Sequence, residues 1–216
     1  MKKIIFLLLI LALTLALISC NNSNQAKNAP PLAVRGVITK LDNNGENVVI
    51  TVESKRDEDT AYDKARVTIE KNTKIYEKDK EITASDLREY MFVEVYYDGV
   101  VAESYPVQMG ADKIVVVARP AIIGIITDIG EENGKTTIMV EGEKIEGTIS
   151  DKAKITLDEK TEIYQSRELE EWKELSSKDL TLYTPVVVYF DGVYNTSYPV
   201  QMGADMIVVL PIKYGN

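Results

Sequence analysis

The chain has 216 residues, 45% of them hydrophobic and 27% charged, with 34 acidic residues against 25 basic ones, no histidine and one cysteine. The acid excess argues against a nucleic-acid partner, because affinity for phosphates comes mainly from lysine and arginine. Without histidine the usual general base near neutral pH and the commonest zinc ligand are both missing, which weighs against an enzyme.

The N-terminus reads Met1-Lys2-Lys3, then an uncharged apolar stretch over residues 4–18, then Ser19-Cys20. A basic head, an apolar body and a small residue before cysteine make an export signal over residues 1–19. Fifteen residues of helix reach about 22 Å, short of a hydrocarbon core of roughly 30 Å, so a permanent span is the weaker reading. Leu17-Ile18-Ser19-Cys20 resembles a bacterial lipobox. That resemblance implies a diacylglycerol thioether on Cys20, which becomes the new N-terminus and anchors the chain to the outer face of the cell membrane. Two acyl chains hold stably where one binds reversibly. Removing residues 1–19 takes away Lys2 and Lys3 and no acid, leaving a mature net charge of −11. With a single cysteine no intrachain disulfide can form, so stability must come from the cores.

Residues 20–33 follow as the lipidated cysteine and a polar tether with a Pro30-Pro31 end. Beyond them the chain is duplicated. The nine residues SYPVQMGAD occur at 104–112 and again at 197–205, each preceded by Asp-Gly-Val at 98–100 and 191–193. Chance does not produce such identity; two copies of one unit do. Repeat 1 is placed at 34–118 and repeat 2 at 119–216, with Arg119-Pro120-Ala121 as a joint short enough to force contact. The offset between copies is 88 at Gly36 and Gly124, and 93 at Tyr105 and Tyr198, so five residues are inserted in repeat 2.

Alternating β-branched and aromatic runs predict strands at 35–41, 48–53, 65–69, 91–97 and 113–117. Their counterparts lie at 123–129, 136–141, 153–157, 186–190 and 206–210. Asn44-Gly45 and Asn133-Gly134 are hairpin signals. Between the third and fourth strands, residues 166–180 are rich in Glu, Leu and Lys and predict a short helix. Three strands, a helix and two strands in about 85 residues is the order of an OB-fold. The expected fold is therefore all-β with a short helix, two tandem OB-fold-like five-stranded barrels. An open β-sandwich is the rival, but it would need about seven strands per domain.

Gly36-Val37-Ile38-Thr39, Thr73-Lys74-Ile75, Asp86-Leu87 and Glu103-Ser104-Tyr105-Pro106 with Gln108 resemble the YobA-like family of uncharacterised exported bacterial domains, over both copies. The resemblance implies small exported or lipid-anchored proteins and no activity. Repeat 2 departs from the pattern with Thr196 in place of Glu103 and a longer connection.

No residue is nominated as catalytic, and no metal or cofactor is expected. Ser54-Lys55 and Ser177-Lys178 are sequence neighbours, which on a strand point to opposite faces. Gly130 to Thr136 has three residues between its glycines where a phosphate loop needs four, and it leads into a strand. The acids Asp57-Glu58-Asp59 with Asp63, and those around Asn44-Gly45, lack the spacing of a calcium loop. Trp172 reads as a core anchor, and Tyr96 and Tyr189 as wall residues.

The nonapeptide has two readings. Structurally, Tyr105 and Tyr198 bury their rings over a barrel end, Pro106 and Pro199 set the entry to the last strand, and Gly110 and Gly203 permit an unusual turn. Functionally, the loop before the last strand is one with which OB-folds hold ligands. Tyr105, Gln108 and Asp112, with Tyr198, Gln201 and Asp205, then offer a ring, an amide and a carboxylate to a peptide or sugar. The expected function is a non-enzymatic, lipid-anchored envelope protein binding an extracellular protein or wall polymer. The alternatives are a structural spacer or assembly factor and, less favoured, an exported enzyme.

Overall fold

A computed structural model describes residues 30–45, 47–166 and 172–211. The signal segment and Cys20 lie outside them. Pro31–Asn216 form one compact unit.

Repeat 1 contributes β1 (Leu32–Asn43), β2 (Val48–Glu53), β3 (Lys64–Ile69), β4 (Lys74–Glu77), β5 (Lys80–Ile82), β6 (Phe92–Tyr96), β7 (Val107–Gly110) and β8 (Lys113–Ala118). Repeat 2 contributes β9 (Pro120–Glu132), β10 (Lys135–Glu141), β11 (Lys152–Thr156), β12 (Glu162–Gln165), β13 (Lys173–Leu175), β14 (Pro185–Tyr189), β15 (Val200–Gly203) and β16 (Met206–Val209). Each repeat is one eight-stranded sheet, ordered β5-β4-β8-β6-β1-β2-β3-β7 and β13-β12-β16-β14-β9-β10-β11-β15. The all-β expectation holds, and all five strands expected in each copy are present. The closed five-stranded barrel is not what forms.

The difference arises at two places. Where a helix was expected, each copy makes a β-hairpin and a single 3-10 turn, at Ala84–Asp86 and Ser177–Asp179. Among the described residues there is no α-helix. Leu175 pairs with Ile163 and packs on the core of repeat 2, and Trp172 is buried, so tertiary contacts override the helical composition of 172–180. The remaining part of that expected helix, 167–171, lies outside the described residues. Each 3-10 turn is opened by a hydroxyl and an acid three residues on: Asp86 accepts from the Thr83 amide and hydroxyl, and Asp179 from those of Ser176.

The second place is the end of the nonapeptide. β7 runs parallel on β3, whereas β8, two residues later, lies on β6 and β4. The Ala111 amide donates to Thr68 on β3, and the next amide, Asp112, donates to Tyr96 on β6. In repeat 2, Asp205 repeats the second bond by donating to Tyr189. Thr73 and Thr161 donate their hydroxyls to the carbonyls of Ala111 and Ala204, at 2.6 and 2.8 Å. The chain thus changes neighbours at Gly-Ala-Asp, which breaks the ladder into two strands.

Gly36 and Gly124 lie where the long strands β1 and β9 change partners, from β6 and β14 to β2 and β10, with Val37 and Ile125 paired on both sides. A Cβ at Gly36 would lie 2.3 Å from the Glu53 carbonyl oxygen, and one at Gly124 2.2 Å from that of Glu141. Only glycine allows this approach.

Each sheet wraps its own core. Ile38, Ile50, Val67, Val93 and Ile114 lie at the centre of the first, and Ile126, Ile138, Ile155, Val188 and Ile207 at the centre of the second. A third cluster joins the repeats: Val37, Tyr90, Phe92 and Ala118 of repeat 1 meet Ile123, Val187, Tyr189, Val208 and Trp172 of repeat 2. Phe92 packs edge-on against Tyr189 at 6.3 Å, and the Tyr189 hydroxyl donates to the Tyr90 carbonyl at 2.7 Å. Lys55 reaches Glu174 at 2.6 Å across the same seam. Trp172, expected as a core anchor, is therefore an anchor between the repeats.

Candidate functional site

The nonapeptides alternate as strands do. Val107, Met109 and Ala111 turn inward, as do Val200, Met202 and Ala204, while Gln108 and Gln201 face out. Gly110 and Gly203 have ordinary backbone angles, contrary to the expected special turn. At Gly203 the room is taken by Phe190, whose ring would sit 3.1 Å from a Cβ. The Tyr105-Pro106 and Tyr198-Pro199 peptides are cis.

The loops ahead of β7 and β15 are tied down by their own polar groups. Ser104 donates its hydroxyl to the Pro106 carbonyl at 2.7 Å and receives the Gln108 amide at 3.4 Å. Ser197, Pro199 and Gln201 repeat these contacts at 2.8 and 3.4 Å. Backbone bridges join Ala102 to Gln108 and Asn195 to Gln201. Asp98 accepts from the Val100 amide, and Asp205 accepts from the Asp191 amide, both at 2.8 Å.

On these fixed loops the tyrosine rings are exposed, 57% for Tyr105 and 71% for Tyr198, which overturns the expectation that they are buried. Both tyrosines lie ahead of β7 and β15, outside the strands whose inward positions hold Val, Met and Ala. Each phenol reaches the start of the third strand of its repeat: Tyr105 donates to Asp63 at 3.0 Å and Tyr198 to Asp151 at 3.4 Å. The same loops expose Val100, Val193 and Tyr194.

Beside each pair lies a matched polar set. Lys64 contacts Glu53 at 3.0 Å, and Glu53 accepts from Thr39 at 2.7 Å. Lys152, Glu141 and Thr127 repeat the set at 2.8 and 3.1 Å. The bonds from Lys152 and Thr127 hold the Glu141 carboxyl below its ordinary pKa. Lys152 is raised, first by its bond to Glu141, with Tyr198 and Asp151 adding their charges.

The six nominated residues therefore do not converge on one point. Tyr105 and Tyr198 present their rings and turn their hydroxyls toward the third strand. Gln108 and Gln201 brace their own loops. Asp112 and Asp205 sit at the strand switch, where their amides and carbonyls serve the ladder. Sequence reasoning weighed Asp63 only for calcium and passed over Asp151 and Tyr194, and it read Val100 and Val193 only as part of the repeat. The signal for the acids was available, since Asp63-Lys64 and Asp151-Lys152 keep the 88-residue offset. Asp57, considered for calcium, contacts Arg35 at 3.3 Å and accepts from the Asp59 amide.

A cavity of about 340 Å³ opens at the joint, lined by Arg88, Tyr90, Met91, Arg119, Ile145 and Glu146 among others. Its arginines are engaged. Arg119 grips Glu77 with two bonds, at 2.6 and 2.9 Å, and Arg88 lies 3.7 Å from Glu146. The grip lowers the Glu77 pKa and raises that of Arg119.

No protein-family model, curated protein or solved structure matches the chain.

Proposed function

We propose that the chain is an exported envelope lipoprotein, anchored through Cys20, whose two loops bind an extracellular protein or wall polymer without catalysis. One observation carries the binding half: in both copies an exposed tyrosine stands on a loop already locked by Ser-Pro-Gln contacts. A prefixed aromatic gains contact area with little entropy left to lose, which is what recognition of an unmodified surface requires.

We further propose OB-like topology for each repeat. Taken as one bent strand, β7 and β8 touch β3 and β6 in turn, and the order of neighbours is then that of the OB barrel. The kinship with the YobA-like family belongs to this reading and rests on the Ser-Tyr-Pro-x-Gln element. A spacer role is the second reading, favoured by the apolar seam that joins the repeats into one unit.

Two experiments test the proposal. Membrane fractionation of Cys20→Ala should move the protein to the soluble fraction; unchanged retention would remove the anchor. Capture from envelope extract should fail for the Tyr105→Ala, Tyr198→Ala double variant, whereas the spacer role leaves it unaffected.

A further inference from the structure

The seam between the repeats shows how one surface of this fold is used. Val37 and Phe92 are cross-strand partners on the central strands β1 and β6 of repeat 1, beside Tyr90, whose carbonyl receives the Tyr189 hydroxyl. The corresponding positions of repeat 2 are Ile125 and Pro185, again cross-strand partners, beside Tyr183. The backbone is duplicated closely. Tyr90 and Tyr183 have left-handed φ of 69° and 64°, and their amides donate to Ile38 and Ile126, each at 2.7 Å. In repeat 1 this surface is covered; in repeat 2, Ile125, Leu182 and Tyr183 are exposed.

The complementary face differs between the copies. In repeat 2 it carries Ile123 opposite Val187, flanked by Tyr189 and Val208. In repeat 1 the same cross-strand pair is Arg35 opposite Glu94. Arg35 contacts Glu94 at 2.9 Å, Tyr96 donates to Glu94 at 2.7 Å, and Lys113 stands 3.9 Å over the Tyr96 ring. Covering that pair with Ile125 would strip water from both charges for no new partner.

We infer that the Ile125–Tyr183 surface is a second docking surface, built like the one in the seam. Its occupant is a partner protein presenting an outer β-sheet face of aliphatic side chains with one tyrosine. The argument is independent of the tyrosine loops. A second copy of this chain does not supply such a face, since one is covered by its own repeat 1 and the other carries Arg35 and Glu94. The charges thereby oppose a head-to-tail contact between copies.

The full chain carrying Arg35→Ile and Glu94→Val provides a defined partner, because repeat 1 then displays the side chains that repeat 2 has at those places. In analytical ultracentrifugation the unsubstituted chain should sediment as a monomer and the double variant as dimers and longer chains. Adding Tyr183→Asp should restore the monomer with unchanged circular dichroism. A folded double variant that stays monomeric overturns the inference, and so does association that survives both Tyr183→Asp and Ile125→Asp. Association of the unsubstituted chain that Tyr183→Asp abolishes would make a second copy the occupant and overturn the stated partner. Glu94→Val alone makes the same comparison should the double variant fail to fold.

Discussion

The hydroxyl of Tyr189 donates to the carbonyl of Tyr90 at 2.7 Å, and this bond crosses from one repeat to the other. Burial is the main reason that the Tyr189 phenol is pushed well above its ordinary pKa, so it remains a donor at any working pH. Tyr189→Phe keeps the ring against Phe92 and removes only the hydroxyl. The expected cost is about 1 to 2 kcal/mol, read as a lower midpoint in urea. An unchanged midpoint would show that the seam is held by packing alone.

Gly124 separates close approach from backbone conformation. A Cβ there would lie 2.2 Å from the Glu141 carbonyl oxygen, whereas Gly134 has φ of +77° and nothing within 4 Å. Gly124→Ala should cost about 3 kcal/mol, since main chain cannot yield as a side chain can. Gly134→Ala should cost about 1 kcal/mol, the penalty of left-handed backbone. Thermal unfolding of the two variants checks the order.

The Arg119 grip on Glu77 gives the joint a pH signature. The bond to Arg119 lowers the Glu77 pKa in the folded state, below an unfolded value of about 4.3. A depressed carboxyl stabilises the fold fully above the unfolded pKa, and that contribution is lost as pH falls through the folded value. Arg119→Met should therefore destabilise by about 1 kcal/mol at neutral pH, and its deficit should shrink in acid. Urea titrations of both proteins at the two pH values measure this directly.

Much of the architecture was legible because strands advertise themselves by alternation and the duplication doubles each signal. Asn133-Gly134 marked its hairpin correctly, with both residues left-handed at φ 53° and 77°. The helix expected over 166–180 failed because Lys173-Glu174-Leu175 favours helix locally while Leu175 gains more by pairing with Ile163. Ser176 and Asp179 cap only a single 3-10 turn there. The strand switch at Ala111 and Asp112 was missed although the inward positions change phase there, from Val107, Met109 and Ala111 to Ile114 and Val116, because such a slip also fits a loop between strands. Exposure of Tyr105 and Tyr198 was equally hidden, because an aromatic before a strand can face either way. The seam was readable in the copies themselves: Arg35 becomes Ile123 and Glu94 becomes Val187, an ion pair exchanged for two aliphatic side chains.

The loop tyrosines decide between binding and building. Their rings are exposed and their loops are braced by Ser104 and Ser197, so replacing both with alanine should change stability by no more than about 0.5 kcal/mol. The most direct measurement is capture of envelope components by the Tyr105→Ala, Tyr198→Ala double variant, with its thermal unfolding followed alongside. The account predicts an unchanged melting temperature and lost capture. Undiminished capture by the folded variant would contradict it.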